Sequence, residues 1–330
     1  MTSLEYQILA TVVYYDMFDY PLSLLDIYTK LISKQALKEF LPDFKFSGPE
    51  VYSTRPVDIL EALESSNLKR YISSKNGFYF LKERKNLVKK RIGRNKISIK
   101  KWKKLKRLVK LFSLNPFIKA INTTGSLVLD NAKKTSDLDV FIITQRNHVW
   151  SARSLLILLV YLLGLKRHEG KNVNNTDKIC PGHFVTKDNL KIPRENLALA
   201  YWFSSIIPVF DPENLFQKYT IKNRWVKKYL AHPLFPKNNL HQIKCGPIFR
   251  MLRSINIILL DNAFGDALES LVRKFLTPTQ FKKAWRVVDK KEKDKVWVNI
   301  SKNQIVLHTH AKDVSILDNF SKRLRKYVQS

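Results

Sequence analysis

The chain has 330 residues, 45% of them apolar, which suffices for two or three domains with a real core and excludes a disordered tail. Its 59 Lys and Arg against 28 Asp and Glu give a formal net charge of +31. Two cysteines, Cys180 and Cys245, exclude a disulfide framework and a CxxC metal knuckle.

Two readings of the charge stand. A polyanionic partner (nucleic acid, nucleotide or anionic membrane surface) would be attracted by it. A Lys-, Asn- and Ile-rich composition drawn from an AT-rich genome explains Lys over Arg but not the scarcity of acids. The opening Met1-Thr2-Ser3-Leu4-Glu5 lacks the pattern of a signal peptide. The most apolar run, Leu155–Leu165, is shorter than the ~20 residues that span a bilayer and reads as a buried helix, so no transmembrane segment is expected. A reducing cytoplasm is the expected location.

In chain order, residues 1–82 form one unit. Glu5–Tyr15 is helix-compatible, and Ser23 caps a second helix with Asp26 as its capping-box partner. A polar loop covers Phe44–Pro56, and Asp58 caps a third helix, Ile59–Ser66. Asn76-Gly77 between two β-prone runs signals a hairpin. This is the order of a winged helix-turn-helix, or of a helical cap with a hairpin that binds no nucleic acid. Acids at Asp58, Glu61 and Glu64 argue against groove reading by the third helix.

Half of positions 83–110 are Lys or Arg. Leu87, Ile92, Ile97, Trp102, Leu105, Leu108 and Val109 recur near helical spacing, which predicts a basic linker helix with one buried stripe. Residues 111–220 alternate strands and helices: Phe117–Thr123, a short helix Leu127–Ala132, strand Leu138–Thr144, helix Val149–Leu163, strand Lys178–Thr186 and helix Leu197–Ile207. That succession predicts an α/β or α+β core with a small mixed sheet. Residues 221–330 read as mostly helical, with helices over Phe249–Phe275 and Pro278–Val288, a hairpin about Ser301-Lys302-Asn303 and a final helix from Ser315.

The segment that carries chemistry is Gly125-Ser126, ten residues, then Asp137-Leu138-Asp139. Carboxylates two apart on a strand share a face and offer hard oxygen ligands to Mg²⁺. A Gly-Ser turn opening a short helix presents backbone N–H groups to phosphate.

These residues resemble the hG[GS]…Dh[DE]h signature of the DNA polymerase β-like nucleotidyltransferase superfamily, over about residues 111–220. With its winged-helix-like N-terminus the chain also resembles bacterial nucleotidyltransferase-domain proteins. The resemblance implies an α+β fold: a mixed-sheet core flanked by the N-terminal unit and the mostly helical C-terminal region. It implies Mg²⁺, with Mn²⁺ as a substitute, held by Asp137 and Asp139, and a nucleoside triphosphate whose β/γ-phosphates lie on Gly125 and Ser126. Nucleotidyl transfer to a hydroxyl acceptor would follow. A catalytically degenerate fold that senses nucleotide or binds nucleic acid is the alternative.

The superfamily's third carboxylate, on a following strand, has no match. In the strand from Lys178, either Cys180 or Gly182 falls at that position, and Asp177 would serve only if the register shifted. Two readings also stand for His183 (general base or packed side chain), Arg153 (phosphate contact or surface), Lys178 (partner of the acids or solvated), Asp211 (site or turn cap) and the His308/His310 pair (metal or none).

Overall fold

The computed structural model describes residues 1–42, 54–168, 173–235, 240–287, 296–308 and 312–328. The polar loop expected over 44–56 lies mostly outside them, as does His310 of the histidine pair.

The N-terminal unit begins with α1 (Ser3–Asp16), capped by a reciprocal pair in which Glu5 N–H donates to the Thr2 hydroxyl and Thr2 N–H to the Glu5 carboxylate. Strand β1 (Leu22–Ser23) leads into α2 (Leu24–Thr29), whose capping box is Ser23 and Asp26 as the sequence suggests. Helix α3 (Lys34–Phe40) was not foreseen. Helix α4 (Pro56–Glu64) starts earlier than expected. Arg55 is its cap residue and Asp58 sits in the first turn, bonding back to the Arg55 N–H. Then come α5 (Ser66–Lys69) and the hairpin β2 (Ile72–Lys75) and β3 (Phe78–Leu81). Asn76 and Gly77 have φ of 53° and 75°. Two successive positive φ values are what a two-residue primed turn needs. The three strands pair in the order β1-β3-β2, all antiparallel.

Helix α6 (Asn86–Phe112) carries the basic run. Its C-terminal half packs into the core through Trp102, Leu105, Val109 and Phe112, but Ile92 is exposed rather than part of a continuous stripe. Its N-terminal half is tied to the first unit instead. Arg91 pairs with Asp26 at 2.9 Å and Arg94 with Asp19 at 3.3 Å.

The core strands are β4 (Ile118–Thr123), β5 (Leu138–Thr144), β6 (Ile179–Thr186) and β7 (Ile207–Phe210), with helices α7 (Val149–Leu162), α8 (Leu197–Ser204), α9 (Leu215–Lys222) and α10 (Val226–Tyr229). The C-terminal region adds α11 (Pro247–Leu260), α12 (Ala263–Val287), the hairpin β8 (Trp297–Ile300) and β9 (Gln304–His308), and α13 (Lys312–Val328). The central sheet has the order β7-β4-β5-β6-β9-β8; β5 and β6 run parallel and the other neighbours antiparallel. The fold is α+β with a mixed sheet. The C-terminal hairpin is thus part of the core sheet, and α13 returns to the N-terminal unit, where Phe320 meets Tyr14 and Phe40.

Strand β5 shows how the sheet divides two cores. Phe141 and Ile143 face the N-terminal helices, α8 and α9, while Leu138, Val140 and Ile142 face α6 and α7. Alternation places Asp139 on the same side as Phe141 and Ile143, and Asp137, just before the strand, brings a carboxylate oxygen within 4.8 Å of one on Asp139.

Three other expectations change. Leu127–Ala132 is a run of turns, closed by Asn131 N–H to the Ser126 carbonyl at 2.9 Å, not a helix. The helix expected to break before Pro278 breaks at Asp261-Asn262, because the Asn262 side chain caps the N–H of Phe264 and Pro278 lies inside α12. The apolar run at Leu155–Leu165 is only half buried: Leu158, Tyr161 and Leu162 are exposed. Helix α11 docks by its polar side, with Asn256 donating to the Leu114 carbonyl, and turns Ile248, Met251, Ile255 and Ile258 to solvent. Among the described residues, no helix is long and apolar enough to cross a membrane.

Candidate active site

Gly125, in the turn after β4, has φ +75°, and a Cβ there would stand 2.4 Å from Oδ2 of Asp139. Only glycine lets the turn and the acid touch. The strand pair is fastened at the same level: the Thr123 hydroxyl donates to the Asp139 carbonyl at 2.8 Å, and Thr124 N–H to the same oxygen at 3.3 Å. The structure therefore brings together Gly125, Ser126, Asp137 and Asp139. The chain between turn and acids is braced by α6. The Ser98 hydroxyl accepts the Ala132 N–H, the Trp102 indole N–H donates to Asp130, and Lys101 Nζ donates to the Ser136 carbonyl.

The register answers which residue takes the third position. Asp139 lies beside Cys180, and Phe141 beside His183, so β6 carries one more residue than β5 over this step. Such a bulge re-aims side chains. Here Cys180, not Gly182, is the residue beside Asp139. One ligand atom from each of Asp137, Asp139 and Cys180 lies within 4.8 Å of the others. Asp177 is elsewhere. It is held by Lys101 at 2.5 Å and Lys104 at 3.2 Å on α6.

Burial, and next to it the negative charge of Asp137, push the Asp139 carboxyl up to about 6. Burial, then Asp139, push the Cys180 thiol up to about 12. Two carboxylates this close repel each other, a divalent cation relieves that repulsion, and their oxygens are hard donors suited to one. The donor chemistry therefore fits.

Two cationic residues that sequence reasoning missed act here. Arg167 Nε donates to Asp137 Oδ2 at 2.8 Å. It is delivered by the segment after α7, where Lys166 bridges Ile179 at the start of β6. Lys312, at the start of α13, partly offsets the rise of the Asp139 carboxyl by its positive charge. Neither carries a local signal, since each is one of 59 basic residues.

The remaining candidates take other roles. His183 is packed among Phe141, Trp202 and Trp297. Arg153 is neither at the site nor on the surface: it is buried under α12, donates to Gln280 at 3.3 Å, and is pushed down to about 10 by that burial. Lys178 Nζ donates to the Gly164 carbonyl. Asp211 caps α9 through the N–H groups of Leu215 and Phe216. A polar hollow of about 470 Å³, lined by Gln145, His148, Lys187 and Asp261 among others, lies at the opposite end of β5 and shares no residue with the acids.

Residues 100–194 match the family model described as a nucleotidyltransferase domain. No curated protein and no solved structure matches the chain. The matched span holds the Gly125 turn, both acids and Cys180, and it supports nucleotidyl transfer in general. The match and the geometry agree: residues 100–194 form a nucleotidyltransferase-like domain, consistent with the polymerase β-like superfamily.

Proposed function

We propose that the chain is a Mg²⁺-dependent nucleotidyltransferase that moves a nucleoside monophosphate from a nucleoside triphosphate to a hydroxyl acceptor and releases pyrophosphate. The observation that carries this is the contact between the Gly125 turn and Asp139, within a segment that matches the family.

Asp137 and Asp139 would hold the divalent cation, Mg²⁺ or in its place Mn²⁺. When bound, that ion screens the triphosphate charge and eases deprotonation of the acceptor hydroxyl. The backbone N–H groups of the Gly125-Ser126 turn bind the β- and γ-phosphates. Arg167, paired with Asp137 in the cation-free chain, would be released by a bound cation, and its planar fork is suited to the phosphates. The acceptor oxygen attacks the α-phosphorus in line, the bond to the bridging oxygen breaks, and pyrophosphate departs. The acceptor is a small molecule, an RNA end or a protein side chain. The exposed cationic side of α6, with Lys89, Lys100, Lys103 and Arg107, favours a polyanionic one.

A second reading is favoured by one observation, Cys180 in place of an acid: a fold that binds nucleotide without transferring it, with the N-terminal unit as a winged-helix-like reader. Incubation with labelled nucleoside triphosphates and Mg²⁺ separates the two. Pyrophosphate release that the Asp137→Asn, Asp139→Asn double variant abolishes supports transfer. Nucleotide binding with no release supports the second reading.

A further inference from the structure

We propose that Cys180 is a third ligand of the cation site, and that its thiolate makes the site select a thiophilic divalent cation of the zinc class over Mg²⁺. This rests on the reading of Asp137 and Asp139 as a cation site.

The position of Cys180 is built rather than incidental. In an unbroken parallel ladder, the pairing of Phe141 with His183 would set Pro181 beside Asp139. The extra residue in β6 sets Cys180 there instead. The result is a three-atom cluster, with two carboxylate oxygens and one sulfur within 4.8 Å of one another. Bonds of ~2.0–2.3 Å at tetrahedral angles set the ligands of one zinc-class ion about 3.3–3.7 Å apart, so the three side chains share an ion once they close in by about an ångström. Cys180 as a residue is neither fully buried nor exposed.

Ligand chemistry then decides the preference. Carboxylate oxygen suits Mg²⁺, whereas thiolate sulfur favours zinc-like ions strongly and Mg²⁺ hardly at all. Mg²⁺ is held by the two carboxylates alone. A zinc-class ion gains the sulfur as well, and displaces Mg²⁺ from the same acids. On binding, a sulfur–metal bond forms and the S–H proton leaves to water. The Arg167 guanidinium, now on Asp137, must give way to either ion.

The test uses the full chain titrated with CdCl₂, following the ultraviolet thiolate-to-cadmium charge-transfer band, and with ZnCl₂ against excess MgCl₂ by calorimetry. The wild type and Cys245→Ser should show the band with one equivalent of cadmium. Cys180→Ser should lose it, and with it the preference for zinc. Cys180→Asp should lose the band but bind Mg²⁺ more tightly than the wild type. A band that persists in Cys180→Ser, or a zinc-to-magnesium affinity ratio that the substitution leaves unchanged, overturns the proposal. Two outcomes tell its failure from that of the underlying reading. Cation binding that needs the acids but ignores Cys180 removes only the third ligand. A band that survives Asp137→Asn with Asp139→Asn removes the acid site itself.

Discussion

Gly125 and Asp139 are in contact across the β4–β5 junction: any side chain on the glycine would overlap the acid's Oδ2, and the backbone φ of +75° is one that L-residues resist. Gly125→Ala should therefore act twice. It strains the turn, lowering stability by at least about 1 kcal/mol, and it pushes the Asp139 carboxylate off its position. Thermal melting and pyrophosphate release should both fall. Retention of full activity by this variant would mean that turn and acid do not work together.

Asp139 should trade stability for function. Its folded carboxyl is raised from 3.8 to about 6 by burial and then by Asp137. A raised acid favours folding when protonated, so that benefit is complete below pH 4 and is lost as pH rises through about 6. At pH 7 the ionised group opposes folding of the cation-free chain. Asp139→Asn should raise cation-free stability at pH 7 by about 1 to 3 kcal/mol, with the gain shrinking below pH 6. Denaturant melts at pH 5 and 7 check this; a variant less stable at pH 7 would contradict it.

Asp26 should behave in the opposite sense. Burial alone would raise its carboxyl, but Lys30 at 2.7 Å and Arg91 at 2.9 Å outweigh that and lower it to about 2. Its stabilisation is present above pH 4 and is lost as pH falls through about 2. Asp26→Asn should cost about 2 kcal/mol at neutral pH. The difference from wild type should vanish toward pH 2, as read by urea midpoints across that range.

Arg253 anchors α11. Its guanidinium donates to the carbonyls of Ser113, Asn115 and Ile118, where α6 gives way to β4. Arg253→Ala leaves three carbonyls without their donor and should cost about 2 to 3 kcal/mol. Hydrogen exchange should then speed up in 247–260 before it does in β5. Unchanged protection there would show that α11 is held by something other than this arginine.

The geometry of the candidate site was legible where its signal is local. Asp137 and Asp139 share a face because strands alternate, and Asn76-Gly77 turns because those residues accept positive φ. What was not legible depends on distant partners. The choice of Cys180 over Gly182 depends on a one-residue bulge that only the pairing of β6 with β5 creates. Arg167 reaches Asp137 through a bridge between two separate segments. The hairpin at 297–308 gives no sign in sequence that it will pair with β6 and widen the core sheet. Periodicity also misleads about direction: α11 has a regular apolar stripe, yet its polar Arg253 and Asn256 are what face the protein. The same holds at Ile92, whose helical turn runs beyond the core that buries Trp102.

Whether Asp137 and Asp139 hold a divalent cation beside a turn that takes the triphosphate is decided by anomalous diffraction from a crystal soaked with Mn²⁺ and a non-hydrolysable nucleoside triphosphate. The expected result is a manganese peak bonded to both Asp137 and Asp139, triphosphate oxygens on the N–H groups of Gly125 and Ser126, and Arg167 moved off Asp137. A nucleotide-soaked crystal with no manganese on the acids, and Arg167 still paired with Asp137, would contradict it.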